Sequence, residues 1–338
     1  LKNILITGAD GQDGAYMAQL LSTKKVKIFC AVRSLNSAFT RLSKLGIENK
    51  VNIIEGNLLE KNTIDSIFKQ IGKIDTIYNF AAISFVPSSF NSPSLTFETN
   101  TLPIIQFLEK IRLHSPNTKF YQASTSEMYG NTNSSKSKNE NSTMNPVSPY
   151  GISKLASHNL IKVYRDSYKI FACSGILFNH ESPLRGDNFV TKKIVKSVVR
   201  YMYNLNRDDK LGNIFAKRDW GYAPDYMDAI YKIMNQKKPD DYVIATGKTC
   251  SIKDFASYCL RYLKIKHKWV KKNNNYQCID LKNNKIIFYS NHYQNIRPNE
   301  LHTLIGNSYK ASKNLKWKPK TSLNDMIKIM IDEELKSI

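Results

Sequence analysis

The chain has 338 residues, 41% of them hydrophobic and 23% charged, with a formal net charge of +22 at pH 7. That length exceeds one usual core, so a large domain with a smaller appended lobe is expected, and the ordinary composition excludes a disordered or fibrous chain. The charge does not by itself imply nucleic acid: lysine and asparagine are spread throughout without an RRM or zinc-finger signature, so biased composition or a phosphate-bearing ligand explains it better.

The first half alternates strand-like and helix-like segments, the pattern of a doubly wound parallel sheet. KNILITG (2–8) is an apolar run ending in glycine, AYMAQLLST (15–23) has helical spacing, and VKIFCAV (26–32) is the next buried strand. KVNIIEG (50–56), DTIYNFAA (75–82), TKFYQAS (118–124) and KIFACSGILFN (169–179) read as further strands, with helices near 62–70, 95–113 and 149–167. Beyond Asn179 the alternation weakens. VTKKIVKSVVRYMYNL is helical, WGYAPDYMDAIYKIMNQ follows a short strand pattern, and SIKDFASYCLRYL is an amphipathic helix. KKNNNYQCIDLKNNK (271–285) reads as a polar surface excursion, and residues 322–335 as a final helix. The expectation is an α/β protein with a Rossmann-type doubly wound sheet in 1–178. A smaller, mixed α/β substrate lobe follows in 179–338, with a segment near 210–250 returning to the first domain.

Five scattered cysteines (Cys30, Cys173, Cys250, Cys259, Cys278) form no CxxC and have no metal-ligand spacing, which suits a reduced compartment and no metal. No apolar run nears the roughly 20 residues needed to cross a bilayer. With its opening directly on a strand, the chain is expected in the cytoplasm, without a signal peptide and away from the membrane.

ITGADGQDGAY places Gly8, Gly11 and Gly14 between a strand and a helix. Small residues there let the backbone turn tightly and approach a pyrophosphate, while the helix N-terminus offers amides and partial positive charge. At the end of the second strand an acid binds a ribose 2′-OH, whereas arginine accommodates a 2′-phosphate. Here the sequence is AVRS, so Arg33 favours NADP; a solvated loop arginine is the bland alternative.

FYQASTSEMYG leaves the fifth strand with Ser124, Thr125, Ser126 and Glu127 at its carboxyl end, where open parallel sheets place ligands. In SPYGISKL, Ser148 and Pro149 read as N-cap and first helical residue, and Tyr150 and Lys154 share the next face. Hydroxyl, tyrosine and lysine together suit hydride transfer at an alcohol carbon. Bringing a phenol from pKa ~10 to near neutrality asks for roughly 4 kcal/mol, which neighbouring positive charge can supply. Glu127 adds a carboxylate able to remove a carbon-bound proton and protonate a leaving hydroxyl.

Together with GILFNHESPLRGDNFVTKKI, KRDWGYAPDYM, IATG, IRPNE and LKWKPKTSL, these stretches resemble the extended short-chain dehydrogenase/reductases, and within them the GDP-mannose 4,6-dehydratase family. The resemblance runs nearly end to end. It implies that Thr125, Glu127, Tyr150 and Lys154 are catalytic. It implies a tightly held, internally recycled NADP lined by Gly8, Gly11, Gln12, Asp13, Gly14, Arg33, Asn57, Leu58, Phe80, Ala81, Ala82, Ser84, His180 and Arg185, with Tyr150 and Lys154. The nucleotide sugar is then held by Ser84, Ser126, Glu127, Asn179, Val190, Lys193, Arg218, Arg297 and Glu300. A structural ion pair is the alternative for Arg218 and Arg297. The chain departs from the family pattern at Asn57, Ser34, Phe85 and Leu95, around one pocket. The implied reaction converts a GDP-hexose, GDP-mannose or GDP-manno-heptose, to its 4-keto-6-deoxy product in a homodimer or homotetramer. GDP-N-acetylglucosamine as substrate, a related epimerase or reductase, and a non-catalytic dinucleotide- or RNA-binding protein are the alternatives.

Overall fold

The computed structural model describes residues 1–132, 136–205, 209–273, 275–290 and 299–337. Along β1 (Lys2–Thr7) the side chains divide by parity: Ile4 and Ile6 enter one buried cluster and Leu5 the other. Two-sided burial of this kind is what a parallel strand covered by helices requires. β2 (Val26–Val32), β3 (Asn52–Glu55), β4 (Thr76–Asn79), β5 (Lys119–Thr125) and β6 (Ala172–Leu177) complete the first run. Four short strands then leave that sheet: β7 (Asn179–Glu181), β8 (Asp209–Leu211), β9 (Lys217–Arg218) and β10 (Trp220–Tyr222). β11 (Tyr242–Ile244) rejoins it.

The result is a seven-stranded sheet, ordered β11-β6-β5-β4-β1-β2-β3 and parallel throughout. The chain winds outward from β1 in one direction and from β4 in the other. The crevice between those two strand ends is the switch point at which such sheets bind ligands.

Six helices connect the strands of the first run: α1 (Gln12–Leu21), α2 (Leu35–Lys44), α3 (Thr63–Ile71), α4 (Val86–Asn91), α5 (Pro93–His114) and α6 (Pro149–Tyr168). Phe68, Phe107, Ile111 and Ile161 from α3, α5 and α6 cover one face of the sheet. Met17 of α1 covers the other with Met227, Ile230 and Ile233 of α8 (Ala223–Met234), which follows α7 (Val190–Met202). Each such buried side chain contributes roughly 1.5–3 kcal/mol relative to exposure. α8 is thus a late segment that serves the first sheet.

The second lobe has its own core. Val195 and Val198 of α7, Phe255 of α9 (Ile252–Tyr262) and Met330 of the C-terminal helix (Leu323–Leu335) pack with Phe288. Beneath them lies a sheet ordered β13-β14-β15-β8, where β12 (Cys250–Ser251) precedes β13 (His267–Lys272), β14 (Asn275–Asp280) and β15 (Ile286–Ser290). A small third sheet joins β12 and β9 to β16 (Thr303–Leu304).

Three local expectations change. Residues 271–285, read as a polar excursion, contain β14 and the end of β13. Among them Cys278 is fully buried, and just before them the half-buried Trp269 of β13 stacks on Phe288 at 6.3 Å. The stretch 169–179 is not one strand, because β6 pairs with β5 and β11 whereas β7 pairs with β10. α2 was not anticipated; it buries only Ala38 and Leu42. Among the described residues no helix is long and apolar enough to cross a membrane, and no group of three or more His, Cys, Asp or Glu is placed to hold a metal ion.

Candidate active site

β1 ends at Thr7, and the chain turns at Gly8 with φ +67°. A Cβ at Gly8 would lie 2.7 Å from the Ala81 nitrogen, and one at Gly14 would lie 2.5 Å from the Gly8 oxygen. These two glycines let backbone pack on backbone. Gly11 differs: an added Cβ would meet only the Gly8 oxygen at 3.1 Å, and the residue lines the central cavity. No side chain caps α1, so its first-turn amides are left to that cavity. A glycine-lined helix N-terminus without a cap suits a diphosphate, and the residues present therefore fit a dinucleotide.

Hydrogen bonds across the strand ends hold the floor. Thr7 Oγ1 donates to Asn79 Oδ1 at 2.5 Å, and Asn79 Nδ2 donates to Gln122 Oε1 at 2.7 Å. Arg41 donates to the Asp10 carbonyl at 2.6 Å, tying α2 to the glycine loop, while Arg33 is exposed and lines the cavity. Asn57 turns its side-chain oxygen to the Leu59 amide at 3.2 Å.

The capped start of α6 fixes Tyr150 and Lys154. Ser148 Oγ accepts from the Gly151 amide at 3.0 Å with Pro149 in the first turn, as its sequence predicts. A Cβ on Gly151 would lie 3.1 Å from the Glu127 carbonyl oxygen, so glycine lets the helix sit close against the carboxylate's backbone. Asn100 bridges the neighbouring elements, accepting from the Ile83 amide at 2.8 Å and donating to Ser153 Oγ at 3.0 Å.

Tyr150 and Glu127 are 8% exposed and Lys154 3%. Burial pushes the Tyr150 phenol well above its usual range, although a hydrogen bond with Thr125 works against that rise. Burial also lowers Lys154 to about 8. Lys154 Nζ donates to the Ala123 carbonyl at 2.9 Å and stands 6.0 Å from the centre of the Tyr150 ring. It is thus aimed by the fifth strand, with its charge one helical turn from the phenol.

The far wall comes from β7 and the segment after it. His180 contacts Asp13 at 2.9 Å, Gln12 Nε2 donates to the His180 carbonyl at 3.1 Å, and Ser182 Oγ donates to Gln12 Oε1 at 2.7 Å. Arg185 pairs with Glu181 at 3.0 Å and lies 3.5 Å over the Phe189 ring, which meets the edge of Phe85 at 5.6 Å. Arg218 pairs with Glu300 at 2.9 Å.

All the site residues expected from sequence line one cavity of about 970 Å³, except Arg297, which lies outside the described residues. The cavity also takes in Phe189, Lys210, Leu211, Gly212, Asn213 and Ala216, which sequence reasoning did not single out. The available signal was the turn in LGN, where Asn213 Oδ1 accepts from the Phe215 amide at 3.0 Å. Strands of two or three residues carry no periodicity that would have drawn attention to it.

The chain is also similar to known proteins along nearly its whole length. A family model described as GDP-mannose 4,6 dehydratase matches residues 5–330. GDP-mannose 4,6 dehydratase 1 of Arabidopsis thaliana is 37% identical, over 99% of this chain and 90% of its own. The GDP-mannose 4,6-dehydratase of Vibrio cholerae is 35% identical, over 99% and 94%. Among solved structures, dTDP-glucose 4,6-dehydratase from Bacillus anthracis in complex with NAD superposes with a TM-score of 0.80 at 18% identity, covering 99% of this chain and 97% of that one. A UDP-glucose 4-epimerase from Thermotoga maritima reaches 0.83 at 18%, covering 99% of each. The structural likenesses support the Rossmann-type fold, and the full-length sequence matches settle the lineage: this chain belongs to the GDP-mannose 4,6-dehydratase family.

Proposed function

We propose that this protein is an NADP-dependent GDP-sugar 4,6-dehydratase. The observation that carries the reading is the meeting of Thr125, Glu127, Tyr150 and Lys154 in the same cavity as the glycine cradle. A plain alcohol reductase has use for three of those groups and none for a buried carboxylate beside them. A nicotinamide dinucleotide held by Gly8, Gly11, Gly14 and Arg33 supplies a hydride acceptor that also returns the hydride.

Tyr150 accepts the proton of the sugar C4 hydroxyl as that carbon is oxidised, and Thr125 steadies the oxygen. The Lys154 ammonium favours the phenolate by its charge. The new ketone acidifies C5, whose proton goes to Glu127. The same carboxyl group then protonates the departing C6 hydroxyl, and one water leaves. C6 then receives the hydride taken from C4 and C5 a proton, Tyr150 giving up the one it accepted, so the sum is loss of one water with no net oxidation. Arg218 and Lys193 suit the diphosphate as charge-assisted donors; Arg218 keeps Glu300 as partner in the same wall. An exposed arginine at the end of β2 supports NADP over NAD through the 2′-phosphate. The proposal includes a homodimer or homotetramer through α5 and α6, which expose Leu95, Leu102, Ile152 and Val163; a monomeric mass in light scattering would remove that part.

The test is incubation with GDP-mannose, GDP-manno-heptose or GDP-N-acetylglucosamine in the presence of NADP+ or NAD+. Mass spectrometry reads loss of one water. With Glu127→Gln the expected outcome is substrate-dependent appearance of reduced nicotinamide without water loss. If no GDP-sugar loses water with the wild-type protein, the assignment is wrong.

A further inference from the structure

His180 is 7% exposed and both of its ring nitrogens face acceptors. Nδ1 lies 2.7 Å from the Phe178 carbonyl oxygen, and Nε2 lies 2.9 Å from each carboxylate oxygen of Asp13. A carbonyl only accepts, so Nδ1 carries a proton. An ionised carboxylate only accepts, so Nε2 carries another. The ring between them is an imidazolium.

We propose that His180 is a positioning residue for the dinucleotide: a resident cation that neutralises Asp13 and so lets the N-terminus of α1 receive a diphosphate. This rests on the dinucleotide reading of the cavity. Asp13 is the second residue of α1, in the turn whose amides open on the site. A carboxylate there suits the helix dipole but repels an incoming anion.

The surrounding groups set the balance. From α1 come Asp13 and Gln12, whose Nε2 donates to Asp13 at 3.0 Å and to the His180 carbonyl at 3.1 Å. From α8 comes the Tyr226 ring, stacked on the imidazole at 4.8 Å. β7 adds Glu181, already engaged by Arg185 at 3.0 Å and by the Thr191 hydroxyl at 2.5 Å. The charges facing His180 are thus Asp13 and Glu181 against Arg185, with Lys154 also in the field of Asp13, and the imidazolium adds the positive charge in direct contact with that carboxylate. Loss of its proton removes that charge from beside Asp13, where two more negative charges must bind. Burial alone would make His180 harder to protonate, but the charge and hydrogen bond of Asp13 outweigh it and raise its pKa. Asp13, which burial tends to raise, is brought by His180, Gln12 and Arg185 down to about 2.

The experiment measures NADP+ and NAD+ affinity by calorimetry as a function of pH, with no sugar present. Wild-type affinity is expected to fall about tenfold or more as pH rises through the titration of His180, because truncating one side of a buried charge pair has effects of that order. His180→Gln should bind about tenfold or more weakly already at neutral pH, with that pH dependence gone. Adding Asp13→Asn to His180→Gln should restore most of the loss, since the repelling charge is then absent. Nitrogen-15 spectra of histidine-labelled wild-type protein should find both His180 nitrogens protonated at neutral pH. An unprotonated nitrogen there overturns the proposal, even if the substituted proteins do not fold. Undiminished affinity in folded His180→Gln, or no rescue by Asp13→Asn, overturns it as well. If the wild-type protein binds neither dinucleotide at any pH, the reading of the cavity fails first and the proposal with it.

Discussion

Lys154→Met removes an ammonium while keeping the length of its side chain. Burial displaces the wild-type lysine from its usual 10.5 to about 8. At 1.36 kcal/mol per pH unit, that corresponds to about 3 kcal/mol of lost stability at neutral pH. The sign follows from proton counts. Between pH 8 and 10.5 the unfolded lysine holds a proton that the folded one has released, so wild-type stability rises with pH across that window. Against the gain from removing the charge stands the loss of its hydrogen bond to the Ala123 carbonyl, 2.9 Å long. Such a charged bond is worth about 1.5–3 kcal/mol. The carbonyl is not orphaned, because Gln122 Nε2 still donates to it at 3.2 Å. The net expectation is a variant between unchanged and about 2 kcal/mol more stable at pH 7, with turnover down by about 10²–10⁴. Urea unfolding of both proteins at pH 7 and near pH 10 measures the first effect, and the advantage of the variant should shrink at the higher pH. A variant about 2 kcal/mol less stable at pH 7, an advantage that grows with pH, or unchanged turnover would refute the reasoning.

Gly14→Ala sets a methyl group 2.5 Å from the Gly8 oxygen and 2.7 Å from Ala9 Cα, both backbone atoms of the cradle. Overpacking of that kind costs about 1–3 kcal/mol, so dinucleotide affinity should fall roughly 5- to 150-fold in a titration; unaltered affinity would mean the loop is not the phosphate site. Asp219 is fully buried and accepts from the amides of Thr246, Gly247 and Gly306 at 2.9, 2.9 and 3.1 Å. Asp219→Ala orphans those three donors at about 1–3 kcal/mol each. The measurable outcome is insoluble protein or a Tm lowered by many degrees, and a melting curve like that of the wild type would show that water takes over the role.

The parts of the fold that were legible in the sequence are those whose burial is written locally. VKIFCAV reads as a strand because every residue from Ile28 onward is buried, and the observed β2 spans the same seven residues. The start of α6 was legible because its cap, Ser148, and first-turn proline are neighbours in sequence. β13 and β14 escaped because their polar residues dominate, and what makes them strands is the packing of Trp269 and Cys278 on a core supplied by α7 and α9. Asp219 escaped for a related reason: its partners lie 27, 28 and 87 residues away. The charge on the His180 ring was equally hidden, since it depends on Asp13, 167 positions earlier.

β11 completes the sheet at its outer edge beside β6, yet it is made long after it. Between Leu177 and Ile244 the ribosome must add 67 residues, roughly 3–13 s at ordinary rates of about 5–20 residues per second. Throughout that interval β6, every residue of which is buried in the finished fold, presents an unpaired edge, and the face of α1 that later meets α8 has no partner. The nascent chain therefore passes through a vulnerable stage at which a holdase or a translational pause would matter. It also follows that a fragment cut near residue 178 would present this sticky edge permanently, and would go the way of aggregation before it could act as a free nucleotide-binding unit.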